Sequence, residues 1–331
     1  MLAAQWFAGA KLNITVNALD RHIENGHGDA PALTFEADDG SSRTYTFSEV
    51  LEAVCTTARV LERAGVRKGD VVSVYLPMIP ELVFTLLACA RIGAPHSAIF
   101  AGFSAEAVAE RIANAGSSVV VTADAGFRGG RVVPLKETVN AALEIARSKG
   151  HDTVKSVLVV HRAGSTNKDE GGAAWVKDRD MSFEHECAAV RESFAKGGRA
   201  VDFPPAVMDA EDPLFLLYTS GSTGKPKGVV HTTAGYMVWA ATTFKLVFDA
   251  RPSTVGPVQV EEVRGAPLGS PASHGVLPPV GVETVKTKGV GRPTTPHPAP
   301  QKPDVFFCEC GESDLIRWCW ISRRDGCHLL V

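Results

Sequence analysis

Apolar and polar positions follow two different periods up to about residue 250, and each change of period marks an element. Short extended runs at 33–36 and 43–45 flank Asp38-Asp-Gly-Ser-Ser42, which predicts a hairpin over residues 31–45. Thr46-Phe-Ser-Glu49 then has the spacing of a capping box. It opens a helix to about Ala64, with Val50, Leu51, Val54 and Leu61 apolar and Gly65 as its stop. Residues 71–76 read as a strand, and Pro80 opens a helix that runs to Ile92 before Gly93. A short strand at 97–100 precedes a helix over 105–115, capped by Ser104 and closed by Gly116. Strands at 118–122 and 157–160 enclose a helix over 135–148, with Val139, Ala142 and Ile145 on one face. The apolar run Leu214-Phe-Leu-Leu-Tyr218 reads as one more buried strand. Strands alternating with helices predict an α/β fold, a largely parallel sheet layered with helices on both faces. Ligands in such sheets sit at the carboxyl ends of strands.

Two segments break the rhythm. Residues 161–200 are polar and glycine-rich, with a surface turn expected at Asp169-Glu-Gly-Gly172 and Trp175 and Met181 as anchors. From Arg251 to Pro303, 53 residues hold eleven of the twenty prolines and no sustained period, so a poorly ordered C-terminal tail is expected. Residues 1–30 read as a loop and one short helix. The expected organisation is therefore 1–30 as an N-terminal segment, 31–250 as the main domain and 251–331 as a divergent, Pro-rich tail.

Composition narrows the partners. A formal net charge of −3 argues against nucleic acid. No run approaches the roughly 18 apolar residues of a membrane span. The start of the chain lacks a basic, then apolar, signal peptide. Seven cysteines show no disulfide spacing, and Cys55 and Cys89 fall on apolar helix faces. That pattern suits a reducing compartment, so a cytoplasmic setting is expected.

The densest chemistry follows the strand at 214–218. Thr219-Ser-Gly-Ser-Thr-Gly-Lys-Pro-Lys227 packs aliphatic hydroxyls, glycines and two lysines into one loop. Glycines permit close backbone approach, and N–H, hydroxyl and ammonium groups can converge on a phosphate. It is not a Walker loop: Gly221 and Gly224 are too close together, and Pro226 follows Lys225. The bland alternative is a flexible surface turn. A second basic group, Arg128-Gly-Gly-Arg131, sets two guanidinium forks around two glycines. By its residues alone it is either an anion site or a solvated charged turn.

The loop, with Val229-Val-His-Thr-Thr-Ala-Gly-Tyr-Met237 and Thr242-Thr-Phe-Lys-Leu-Val-Phe-Asp249, resembles the AMP-forming acyl-CoA synthetases, acetyl-CoA synthetases in particular. Ala123-Asp-Ala-Gly-Phe-Arg-Gly-Gly-Arg131 and Phe100-Ala-Gly-Phe-Ser104 are similar to the same family. The resemblance implies the N-terminal part of the adenylate-forming (ANL) fold. It also implies acetate–CoA ligation: ATP and acetate give acetyl-adenylate and diphosphate, then coenzyme A displaces AMP. Thr219, Ser220, Gly221, Ser222, Thr223, Gly224, Lys225 and Lys227 would bind the ATP phosphates with Mg²⁺. Gly102, Arg128, Gly129, Gly130 and Arg131 would bind coenzyme A. Implied partners are small molecules, with no nucleic acid and no membrane.

The resemblance spans about residues 5–250 and reappears briefly at Lys302-Pro-Asp-Val-Phe-Phe-Cys308. The family's catalytic lysine is not among these residues, so no catalytic residue is assigned. The chain is expected to be a truncated form that is inactive alone, with apolar surface left uncovered beside the strand at 214–218. Two other functions stay open: ligation of propionate or another short acid, and a non-catalytic CoA- or nucleotide-binding module. Cys308, Cys310, Cys319, Cys327 and His328 could form a zinc cluster, but their spacing suits zinc poorly.

Overall fold

In the computed structural model the described residues are 7, 9–37, 40–128, 131–162, 174–198, 200–219, 226–247 and 258–261. The chain begins with β1 (Lys11–Leu12), α1 (Arg21–Glu24), β2 (Pro31–Glu36), β3 (Ser42–Thr46) and α2 (Phe47–Arg63). Next come β4 (Val72–Tyr75), α3 (Pro80–Ile92), β5 (His96–Ala98), α4 (Ala105–Ala115) and β6 (Val119–Ala123). A hairpin of β7 (Gly126–Arg128) and β8 (Arg131–Val133) leads to α5 (Leu135–Ser148) and β9 (Ser156–Val160). β10 (Asp180–Ser182), α6 (Phe183–Ala195) and β11 (Met208–Asp209) follow. The last elements are β12 (Pro213–Thr219), β13 (Lys227–Thr232), α7 (Thr233–Leu246) and β14 (Val258–Glu261).

Local signals set most helix ends. Thr46 accepts the Glu49 amide N–H, and Glu49 accepts the Thr46 N–H, completing the capping box of α2. Gly93 and Gly116 stop α3 and α4 in the left-handed conformation, at φ 79° and 62°. β4, β6 and β9 are buried through most of their length because helices cover both sheet faces. Each Val or Leu so buried contributes about 1.5–3 kcal/mol of transfer free energy.

The central sheet runs β10-β9-β6-β4-β5-β12-β13. All neighbours are parallel except the β12–β13 pair. Crossovers between parallel strands are right-handed. The step from β4 to β5 through α3 moves one way along the sheet. The steps from β5 to β6 and from β6 to β9 move the other way, so α4 and α5 take the opposite face. This is the α/β architecture that the alternation predicts.

The N-terminal segment is pinned to this body. Asn13 donates to the carbonyls of Ala90 and Ala206 at 2.9 Å each, and buried Arg91 pairs with Asp20 at 2.8 Å. Residues 161–200, expected as a polar connection, contain β10 and α6. β10 carries no apolar run; it exists because Asp180, Met181 and Ser182 pair with the buried strand β9. The Asp180 carboxylate is fully buried and is held by Lys136 at 2.7 Å, Arg179 at 2.7 Å and the Val176 amide at 2.7 Å. Trp175 and Met181 pack on the core, as expected for anchors. The turn expected at 169–172 lies outside the described residues.

Val258–Glu261 falls in the segment expected to lack order and pairs parallel with β2. Residues 251–257 and 262–331, including the cysteines and histidine weighed for zinc, lie outside the described residues. Large apolar side chains stand exposed on β13 and α7: Val230, Trp239 (73%) and Leu246 (74%) among them. Among the described residues, no helix is long and apolar enough to cross a membrane.

One cross-strand row carries a pH signature. His96 on β5 stacks on Phe215 of β12 at 5.4 Å, and Phe215 stacks on His231 of β13 at 4.4 Å. His96 is buried, its Nδ1 has no hydrogen-bond partner among the described residues, and burial pulls its pKa from the ordinary 6.5 to about 3. The folded state therefore keeps this imidazole neutral, and the unfolded chain protonates it first. Its contribution is complete above about pH 6.5 and is lost as pH falls, by about 1.4 kcal/mol per unit, until the folded value is reached. Urea unfolding at pH 7.5 and 5.0 is expected to show His96→Phe losing less stability between the two pH values than the unaltered protein. Equal losses would refute this assignment.

Candidate functional site

The β12–β13 hairpin carries the hydroxyl- and lysine-rich loop at the carboxyl end of β12. Its described stem ends at the register pair Thr219–Lys227, one rung beyond Tyr218–Gly228. Ser220, Gly221, Ser222, Thr223, Gly224 and Lys225 lie outside the described residues. Thr219 and Lys227 are thus set opposite each other at the mouth of the hairpin, with Lys227 exposed.

Tyr218 anchors that mouth. It is 5% exposed, and its hydroxyl donates to Asn114 Oδ1 at 2.9 Å. Burial raises its pKa, and the Arg111 guanidinium partly opposes the shift. Arg111 lies 5.7 Å from the Tyr218 ring centroid and 4.3 Å from that of Phe103. Cation–π contacts with a desolvated cation contribute about 2 kcal/mol. Gly228 faces Tyr218 across the ladder, where a Cβ would come within 3.1 Å of Cε1 and 3.3 Å of Cζ. The ring occupies the space that a side chain would need.

The reversal of strand direction creates a second feature. The chain leaves β4 for one sheet face and β5 for the other, which opens a crevice outside their carboxyl ends. The turn after β5 stands at that crevice and carries Gly102, which is exposed. Tyr75, at the end of β4, donates to the Phe103 carbonyl at 3.0 Å, and burial pushes its pKa up to about 12. It stays a neutral donor at any physiological pH. Because β5 and β12 are parallel neighbours, the Gly102 turn and the mouth of the hairpin lie side by side.

Arg128 and Arg131 follow β6. They are register partners in the β7–β8 hairpin, and Gly129 and Gly130 between them lie outside the described residues. Arg131 is exposed. Asp124 fixes the root of this hairpin, accepting the Ala125 amide at 2.7 Å and the Arg162 amide at 2.8 Å. The Arg162 guanidinium lies 5.3 Å from the Phe127 ring centroid. β4 and β5 separate β6 from β12 in the sheet. The fold therefore brings Gly102 next to Thr219 and Lys227, and sets Arg128 and Arg131 further along.

Sequence reasoning missed Arg111, Asn114, Asp124 and Arg162. Their signal is weak, because none belongs to a spaced motif and each acts through a partner far away in the chain. Pairing Tyr218 with Gly228 by hairpin register was the one clue available. Glu81, at the start of α3, has its pKa raised by burial. Among the described residues, no group of three or more His, Cys, Asp or Glu converges as a metal site.

A profile of the AMP-binding enzyme family matches residues 19–262. An acetyl-coenzyme A synthetase from Rhizobium rhizogenes is 47% identical over 249 residues, covering 75% of this chain and 36% of the relative. One from Serratia proteamaculans (strain 568) is 48% identical over 249 residues, covering 75% and 35%. One from Yersinia pestis is 47% identical over 255 residues, covering 77% and 36%. The chain spans about a third of the length of the curated relatives it matches.

Gly228→Ala tests the packing at the mouth. The new methyl meets a ring already held by Asn114 and Arg111, so a loss of about 1–3 kcal/mol is expected in urea unfolding. Unchanged stability would show that Tyr218 yields freely.

Proposed function

Because the chain belongs to the AMP-binding enzyme family, we propose that it serves ATP-dependent ligation of acetate to coenzyme A. The seven-stranded, mostly parallel sheet is consistent with the N-terminal part of the adenylate-forming fold. The observation that carries the proposal is the near-half identity to acetyl-coenzyme A synthetases over 249 residues of this chain.

In this reading an acetate oxygen attacks the α-phosphorus of ATP, the bond to the β-phosphate oxygen breaks and diphosphate leaves. The coenzyme A sulfur then attacks the acetyl carbon, AMP leaves, and the thiol proton passes to solvent. Thr219, Ser220, Gly221, Ser222, Thr223, Gly224, Lys225 and Lys227 hold the departing phosphates. Positioning and charge neutralisation do most of the work in such displacements. Mg²⁺ would enter on the nucleotide phosphates.

Gly102, Arg128, Gly129, Gly130 and Arg131 take coenzyme A. The buried thiols Cys55, Cys89 and Cys187 support a reducing, cytoplasmic setting.

Calorimetry with ATP and with coenzyme A, and ATP–diphosphate exchange with acetate or propionate, test this reading. Binding of both ligands is the expected result. Exchange with propionate and not with acetate would move the substrate, and absence of binding would overturn the function.

A further inference from the structure

We infer that Arg111 is a positioning residue that holds the Gly102 turn and the mouth of the β12–β13 hairpin in fixed relation. The inference rests on the function proposed above and adds a residue that belongs to neither ligand group. Arg111 lies on α4, the helix that begins where the Gly102 turn ends, with Ser104 as its N-cap. It is 7% exposed, an unusual setting for a guanidinium, and one arm donates to the Ala107 carbonyl at 2.8 Å.

Its planar head meets two rings that come from different strands. Phe103, at 4.3 Å, closes the turn after β5, where its carbonyl accepts the Tyr75 hydroxyl. Tyr218, at 5.7 Å, is the residue before Thr219, and its hydroxyl is held by Asn114 one turn further along α4. The direct pairing of β5 with β12 involves only His96 with Phe215 and Ser97 with Leu216, nearer the amino end of β12. Beyond those rungs, the contacts of α4 with Phe103 and Tyr218 bridge the two carboxyl ends. A delocalised cation can stack on two aromatic faces, which neither an ammonium nor a thioether reproduces fully. A shift of either ring then moves the other, and with it the groups proposed to meet coenzyme A and the ATP phosphates.

The test compares Arg111→Met and Arg111→Lys with the unaltered chain. Amide hydrogen exchange is read in peptides covering 100–104 and 214–219, with the β6 and β9 peptides as internal references. Calorimetry at a temperature well below each melting point gives the affinities for ATP and for coenzyme A. The methionine variant is expected to exchange about tenfold faster at both 100–104 and 214–219, with β6 and β9 unchanged, and to lose about tenfold in both affinities. The lysine variant, which keeps the cation, is expected to recover part of each. Should the methionine variant not fold, Phe103→Leu replaces it and must speed exchange at 214–219 as well as in its own turn.

Faster exchange at one segment alone, or a lower melting point with both affinities intact, would overturn the inference. An unaltered chain that binds neither ligand would overturn the function proposed above, and the exchange comparison would still decide the role of Arg111.

Discussion

The short parallel pairing of β5 with β12 is the constraint on which the candidate site depends. Two register pairs join the hairpin to the rest of the sheet. They are flanked by contacts that are not backbone ladder: the His96–Phe215–His231 row on one side and Tyr218 against α4 on the other. A hairpin on so few rungs depends on its side chains to stay in register. That explains why a tyrosine is buried at its mouth and why the residue opposite has no side chain.

This attachment costs free energy in polar burial. His96 Nδ1 and Ser97 Oγ are buried on β5 without hydrogen-bond partners among the described residues. Each such group costs about 1–3 kcal/mol. The aromatic stacking that His96 provides offsets part of that cost, and burial keeps the ring neutral. The same residue that steadies the hairpin therefore makes it sensitive to acid.

Strand order explains why the basic and hydroxyl groups lie where they do. β4 sits at the reversal, with β5 and β12 on one side and β6 on the other. Every connection of interest leaves a carboxyl end on this edge. The Gly102 turn and the hairpin mouth lie side by side, and the Arg128–Arg131 hairpin stands across β4.

Much of this was legible along the chain, because the relevant forces are local. Thr46 with Glu49, Ser104, Gly93 and Gly116 act within one helical turn, so their positions predict the ends of α2, α3 and α4. The apolar runs of β4, β6 and β9 mark strands buried on both faces. The hydroxyl- and lysine-rich run after β12 stands out too, since its residue types are contiguous. β10 was not legible, because Asp180-Met-Ser182 becomes a strand only by pairing with β9, and its aspartate is tolerable there only beside Lys136 and Arg179. Nor was the clamp of Arg111, Asn114 and Tyr218, in which the tyrosine lies more than a hundred residues from the other two. The sequence by itself determined most of the elements and which residue types the loops carry. Tertiary structure decided which loops meet and which buried charges hold them there, because those contacts form only once the chain is folded.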